Sequence, residues 1–242
     1  MTTSFSAKAG RLITRQKLAT RITHWVWAIC FFFLLMSGLQ IFNAHPALYL
    51  GDQSGFSFDN ALLVIDGFPS WATIPSSQDL ATGRVVHFFF AWILVVALVV
   101  WFLASLRNRH ARKDLLPTRK DASGLIPDIR DHLRLKLVHA VRYSPLQKLA
   151  YGGVLFVLFP LIVLTGLSMS PGMNAVLPWL PELFGGRQSA RTLHFLAMAL
   201  LAAFFAVHML MILLAGPINE LRSITTGKYR LSPKPKQDIE HV

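Results

Sequence analysis

The sequence predicts an all-α integral membrane protein: a four-helix bundle with both termini cytoplasmic and a helix lying on the cytoplasmic membrane surface. Composition, apolar run length and charge placement carry this reading. The 242 residues are 53% hydrophobic and only 15% charged, with a mean hydropathy of +0.47. Yet the formal charge is +12, from 24 Lys and Arg against 12 Asp and Glu. A soluble domain of this size needs charge over its whole surface, and a disordered or nucleic-acid-binding chain carries far less apolar content. Apolar and basic character must therefore be segregated along the chain.

Four stretches free of Asp, Glu, Lys and Arg reach the length of about 20 residues that a bilayer-spanning helix needs: 22–42, 85–106, 149–169 and 193–216. Lipid cannot satisfy an open backbone, and the runs are too long for barrel strands, so each is read as a helix. The first run is too long for the apolar core of a signal peptide, and no small-residue cleavage site follows it. Pro160, within the third run, frees the Phe156 carbonyl and predicts a kink.

Charge sets the orientation. Five basic side chains precede the first run, eleven lie in 107–148 and five follow residue 216. The 43–82 connection has no Lys or Arg but holds Asp52, Asp59, Asp66 and Asp79. By the positive-inside rule both termini and the 107–148 loop are cytoplasmic, and the localisation expected is a bacterial inner membrane. The basic residues adjoin span ends, which disfavours a nucleic-acid patch and leaves lipid as the surface they meet. Only Arg84, Arg187 and Arg191 fall on the other side.

The whole chain, 1–242, thus reads as one membrane domain with two long connections. In the cytoplasmic one, Pro127 and Asp128 suit a helix start, and Ile129, Leu133, Leu137 and Val141 recur at helical spacing beside basic residues. In the outer one, Phe56, Phe58, Phe68, Trp71 and the apolar run 61–65 suit the membrane interface or a docking surface.

The spans contain four histidines: His24, His87, His194 and His208. Ionisable residues inside a membrane usually face the bundle interior and mark function. His194 and His208 are fourteen residues apart, about 21 Å along a helix and about 40° apart in direction. One helix therefore offers two imidazoles on nearly one face, near opposite membrane surfaces. With the spans alternating in direction, His87 matches His194 at the outer level and His24 matches His208 at the inner one.

Two facing imidazoles can hold both axial positions of a b-type haem iron, so two haem b groups are expected. Zinc or copper would need its ligands around one ion, which the separation of His194 from His208 prevents. A proton relay would want acidic partners, which the spans lack. The lone Cys30 and the absence of C-x-x-C-H exclude an intrachain disulfide and covalent haem attachment. Gly38 and Gly166 could let a macrocycle approach. Arg84 and Arg191 precede His87 and His194 by three residues, and Arg21 stands in the same relation to His24, as suits propionate binding. A haem-free membrane anchor would leave the histidine arrangement unexplained, and a small transporter using these histidines would need substrate-binding breaks or acidic couplers, which are not evident.

Arg21-x-x-His24-Trp25, Ser37-Gly38-Leu39 and the fourteen-residue histidine spacing resemble the di-haem cytochrome b subunits of formate dehydrogenases and nickel–iron hydrogenases. Tyr143-Ser-Pro-Leu-Gln-Lys-Leu-Ala-Tyr151, Leu164-Thr-Gly-Leu-Ser-Met-Ser-Pro171, Gly186-Arg-Gln-Ser-Ala-Arg-Thr-Leu-His194 and Ala215-Gly-Pro-Ile-Asn-Glu220 resemble the thiosulfate-reductase-type branch. The resemblance implies an electron path between an extracytoplasmic molybdopterin or iron–sulfur oxidoreductase and quinone, with no substrate-transforming site in this chain. His139, Tyr143, Gln147 and Lys148, where the cytoplasmic loop enters the third span, are the candidates for a quinone pocket.

Overall fold

The structure, a computed structural model, describes residues 10–55, 57–108, 115, 118–134 and 143–231. It is all-α apart from two small ribbons. Four helical segments are long and apolar enough to cross a membrane: Leu18–Asn43, Leu80–Arg107, Pro145–Ser168 and Arg187–Ala215. Each contains one of the four predicted runs almost entirely, because caps and turn residues outside the apolar core set the helix ends.

The first helix is α1 (Leu18–Asn43), after a short strand β1 (Leu12–Thr14). Strands β2 (Ala47–Leu48) and β3 (Leu63–Val64) lie in the following loop, and α2 (Leu80–Asn108) is the second span. Next comes α3 (Arg119–Leu133), the helix expected on the membrane surface. It starts before Pro127, contrary to the sequence expectation. Thr118 and Asp121 form the start: the Thr118 N–H and hydroxyl both donate to the Asp121 carboxylate, at 2.7 Å each. That reciprocal cap carries the chain into helix, and Pro127 is accommodated inside it. Leu137 and Val141, the later members of the predicted stripe, lie outside the described residues.

The third span carries a π-helical turn. Helix α4 (Pro145–Gly153) opens with a capping box: Ser144 accepts from the Gln147 N–H at 3.3 Å, and Gln147 accepts from the Ser144 N–H at 3.1 Å. A π-helical turn, Val154–Leu158, then leads into α5 (Phe159–Ser168). Pro160 cannot donate to the Phe156 carbonyl, and the wider turn in front of it accommodates the missing bond. Two short helices, α6 (Pro171–Val176) and α7 (Leu180–Leu183), precede α8 (Arg187–Ala215), the fourth span. Gly216, at φ +102°, ends α8 and starts α9 (Pro217–Thr226), which strand β4 (Lys228–Arg230) follows.

The chain divides into two compact units. One comprises Met1–His24, Val100–Val154 and Phe205–Val242. In it β4 pairs antiparallel with β1, placing Tyr229 opposite Ile13, and α3 packs on α4. Arg15 bonds Glu220 at 3.1 Å and lies over the buried Tyr229 ring. Lys148 bonds Asp121 at 3.0 Å, and Asp128 accepts from the Leu146 N–H at 2.8 Å, fixing α3 to α4.

The other unit comprises Trp25–Val99 and Leu155–Phe204. Here parts of all four spans pack together. Phe33 of α1 stacks on Phe90 of α2 at 4.1 Å, Trp27 meets Phe159 of α5, and Phe42 meets Phe195 of α8. The 43–82 loop is tied to the start of α8. The Gly51 carbonyl accepts from the N–H groups of Gln188 and Ser189, Asp52 accepts from the Arg187 N–H, and Thr192 donates to the Tyr49 carbonyl. The bonds from the Arg187, Gln188 and Ser189 N–H groups use donors that every helix N-terminus leaves over. They also need Gly186, where a Cβ would lie 2.5 Å from the Gly51 carbonyl carbon. In the same loop Phe68 packs on Phe42 and Phe195, whereas Trp71 is 80% exposed.

Candidate functional site: two pairs of histidines

In the unit holding the 43–82 loop, His87 of α2 faces His194 of α8. Their ring centroids are 6.3 Å apart, with planes at 60°. Behind each ring stands a hydroxyl from another helix. Ser37 Oγ on α1 is 3.0 Å from His87 Nδ1, and Thr165 Oγ1 on α5 is 3.0 Å from His194 Nδ1. The residue after each hydroxyl is glycine. A Cβ at Gly38 would lie 3.3 Å from His87 Cε1, and one at Gly166 would lie 3.2 Å from His194 Cε1. Both glycines therefore make room for the imidazoles themselves.

In the other unit, His24 of α1 faces His208 of α8, with ring centroids 6.4 Å apart and planes at 55°. Tyr151 stands edge-on to His208 at 6.3 Å, and Tyr143 edge-on to Tyr151 at 5.3 Å. The four histidines thus come together in the two pairs that span direction and spacing predict.

The ring separations have a direct chemical meaning. Two metal–imidazole bonds of about 2 Å, with each ring centre about 1 Å behind its nitrogen, give a centroid separation of about 6 Å. Both pairs have that span. Among the described residues, no three His, Cys, Asp or Glu side chains come together to hold a metal ion. Each pair could therefore supply two ligands, which suits iron in a macrocycle that brings four nitrogens of its own.

The arginines are placed differently from one another. Arg191 donates to the His45 carbonyl and lies over the Phe42 ring at 5.4 Å. Arg21 donates to the Thr225 carbonyl at the end of α9. Arg84 is exposed on α2. Arg187 donates to the Met169 carbonyl at 2.8 Å, a structural use.

The four residues considered for quinone turn to different neighbours. Tyr143 accepts from Gln16 at 3.3 Å and meets Tyr151. Gln147 belongs to the α4 cap and Lys148 to the Asp121 ion pair. His139 lies outside the described residues.

Sequence reasoning missed Ser37 and Thr165 as partners of the histidines, although both stand in motifs that it singled out. It also missed His45. Burial and the nearby Arg191 guanidinium hold the His45 ring below its ordinary pKa, which favours its neutral form. Its Nε2 lies 3.1 Å from the Tyr49 hydroxyl, which itself donates to the Gly55 carbonyl.

A membrane-embedded helical protein presenting paired, part-buried imidazoles with iron-spanning separation has the make-up of a b-type cytochrome. The model of the prokaryotic cytochrome b561 family matches residues 15–227, and the chain belongs to that family. It is accordingly a membrane electron-transfer cytochrome that binds haem b. Among curated proteins, one from Azospira oryzae, named as the protein-methionine-sulfoxide reductase subunit YedZ1, is 29% identical over 200 residues, covering 80% of this chain and 87% of that protein. The cytochrome b556(Fdn) subunit of the nitrate-inducible formate dehydrogenase of Escherichia coli K12 is 25% identical over 159 residues. That match covers 64% of this chain and 58% of the subunit, and the subunit of the same name from Shigella flexneri matches equally.

Proposed function

We propose that the chain holds two haem b groups, one between His87 and His194 near the outer membrane surface and one between His24 and His208 near the cytoplasmic surface. It would carry electrons between an extracytoplasmic oxidoreductase and the quinone pool. The observation that carries this reading is the pair of ring separations, 6.3 and 6.4 Å, each fitting two axial imidazoles on one iron. Haem b bound there supplies reversible one-electron exchange.

The chain's own residues would position and insulate. The four imidazoles would hold the iron. Gly38 and Gly166 keep side chains from pushing His87 and His194 out of line. Arg84 and Arg191 would bind the propionates of the outer group and Arg21 those of the inner one. For Arg191 and Arg21 one N–H is occupied by a carbonyl, and a guanidinium has five. Both termini and the 107–148 segment are assigned to the cytoplasm of a bacterial inner membrane, on the distribution of basic residues.

The names of the relatives, subunits of a methionine-sulfoxide reductase and of a formate dehydrogenase, support a redox enzyme as the partner. We assign it to the molybdopterin or iron–sulfur class, docking at the 43–82 loop. Quinone would react on the cytoplasmic side beside Tyr143, whose ring leads through Tyr151 to His208. Gln147 and Lys148 would shape that site through the α4 cap and the Asp121 pair rather than by contact, and His139 is the fourth member. No nucleic acid is involved.

A pyridine haemochrome assay with reduced-minus-oxidised spectra on purified protein tests the reading. Two b-haems per chain are expected, with one lost on His87→Ala. Well-folded wild-type protein without b-haem would overturn it.

A further inference from the structure

We propose that Ser37 and Thr165 are positioning residues for the outer haem: each fixes its histidine as the Nδ1–H tautomer and strengthens it as an axial ligand. The inference rests on the outer haem proposed above and concerns residues to which no role has been given.

The two sites are built alike from unrelated helices. Ser37 donates its hydroxyl proton to the Phe33 carbonyl at 2.5 Å, and Thr165 donates its own to the Leu161 carbonyl at 2.6 Å. A hydroxyl has only one proton. With that proton given to the helix backbone, the oxygen facing the imidazole can only accept. His87 Nδ1 and His194 Nδ1, each 3.0 Å away, must therefore be the donors. An imidazole nitrogen that faces an acceptor carries the proton.

The consequence follows from the inventory of a neutral imidazole. It has one N–H and one lone pair, so a proton fixed at Nδ1 leaves the lone pair at Nε2, where an axial ligand needs it. Ser37 and Thr165 are fully buried, so no water competes for the ring N–H. Gly38 and Gly166 let the Cε1 edge of each ring approach the same helices. Hydroxyl and glycine at successive positions thus form one device, used once by α1 and once by α5. Donation from Nδ1–H also raises the basicity of the ring and favours ferric over ferrous iron, which lowers the reduction potential.

The mundane alternative is a hydroxyl that merely bonds back to its own helix. Redox titration of purified, haem-loaded protein separates the two. In Thr165→Val, which exchanges hydroxyl for methyl, the midpoint potential of the outer haem should rise while that of the inner haem stays unchanged. The band lost in His87→Ala identifies the outer haem. Thr165→Ser should keep the wild-type potential, and Ser37→Ala should raise the potential of the same haem. Loss of the outer haem in Thr165→Val with retention in Thr165→Ser also supports the role. Both haems retained at wild-type potentials in Thr165→Val and Ser37→Ala overturns it while leaving the di-haem reading intact. So does equal haem loss in Thr165→Val and Thr165→Ser, which would make the site one of packing alone. Absence of haem from the wild type would instead sink the di-haem reading and, with it, this inference.

Discussion

A Cβ on Gly166 would lie 3.2 Å from Cε1 of His194, closer than an ordinary carbon contact. The ring would have to move by a few tenths of an ångström, and it is held from behind by Thr165. Gly166→Ala should therefore cost about 1–3 kcal/mol of overpacking and lower outer-haem occupancy. Gly166→Leu should abolish it while sparing the inner haem. Haem per chain after size-exclusion chromatography in detergent gives the answer, and full occupancy in Gly166→Leu would contradict the close approach.

The two histidine pairs lie in different compact units, which predicts independence. His208→Ala should remove one haem and His194→Ala the other, with the double variant losing both. Low-temperature absorption spectra of the three proteins check this. Loss of both haems from either single variant would mean that the pairs are not separate sites.

Attachment of the 43–82 loop to α8 runs through Ser189, which accepts from the Gly51 N–H at 2.8 Å and donates to the Gly185 carbonyl at 3.0 Å. Ser189 is buried. Ser189→Ala leaves both backbone groups short of a partner and should destabilise the protein by about 1–3 kcal/mol. Thermal unfolding followed by intrinsic fluorescence reads the loss, and limited proteolysis should place the first new cut in the loop.

His45 gives the same loop a pH dependence. Burial and Arg191 hold its pKa below the ordinary 6.5, so the unfolded chain binds the proton more readily than the folded one. The folded loop is fully favoured above about pH 6.5 and loses stability as the pH falls below it. Hydrogen exchange across residues 45–52 should speed up between pH 7.5 and 5, after correction for the intrinsic rate. His45→Gln should remove that dependence.

For Asp121 burial opposes the charge, but the Thr118 N–H and hydroxyl and the Lys148 ammonium outweigh it and lower the carboxyl pKa. Its contribution is present above the ordinary value of 3.8 and is lost as the pH falls through the lowered one. Asp121→Asn at pH 7 should loosen α3 from α4 by about 1 kcal/mol or less. Protease cleavage within α3 measures it, and the difference from wild type should shrink as the pH falls below 3.8.

Much of this was legible in the sequence because a bilayer leaves few solutions. Apolar runs of span length fix four helices, and fourteen residues between His194 and His208 fix two imidazoles on one face. What escaped was local or non-local in a way that pattern cannot register. Thr118 and Asp121 start α3 well before Pro127 through a side-chain cap, which apolar spacing does not register. The β1–β4 pairing joins opposite ends of the chain through strands of three residues, too short to show alternation.

The sequence by itself determined the membrane class, the four spans and the four imidazoles, since these follow from hydropathy and helical period. Tertiary structure decided the partnerships: His87 with Ser37 and Gly38, His194 with Thr165 and Gly166, and His45 with Arg191. Those depend on rotation of each helix about its axis to within a fraction of a turn. Packing of side chains from several helices sets that rotation, and no single helix carries the information.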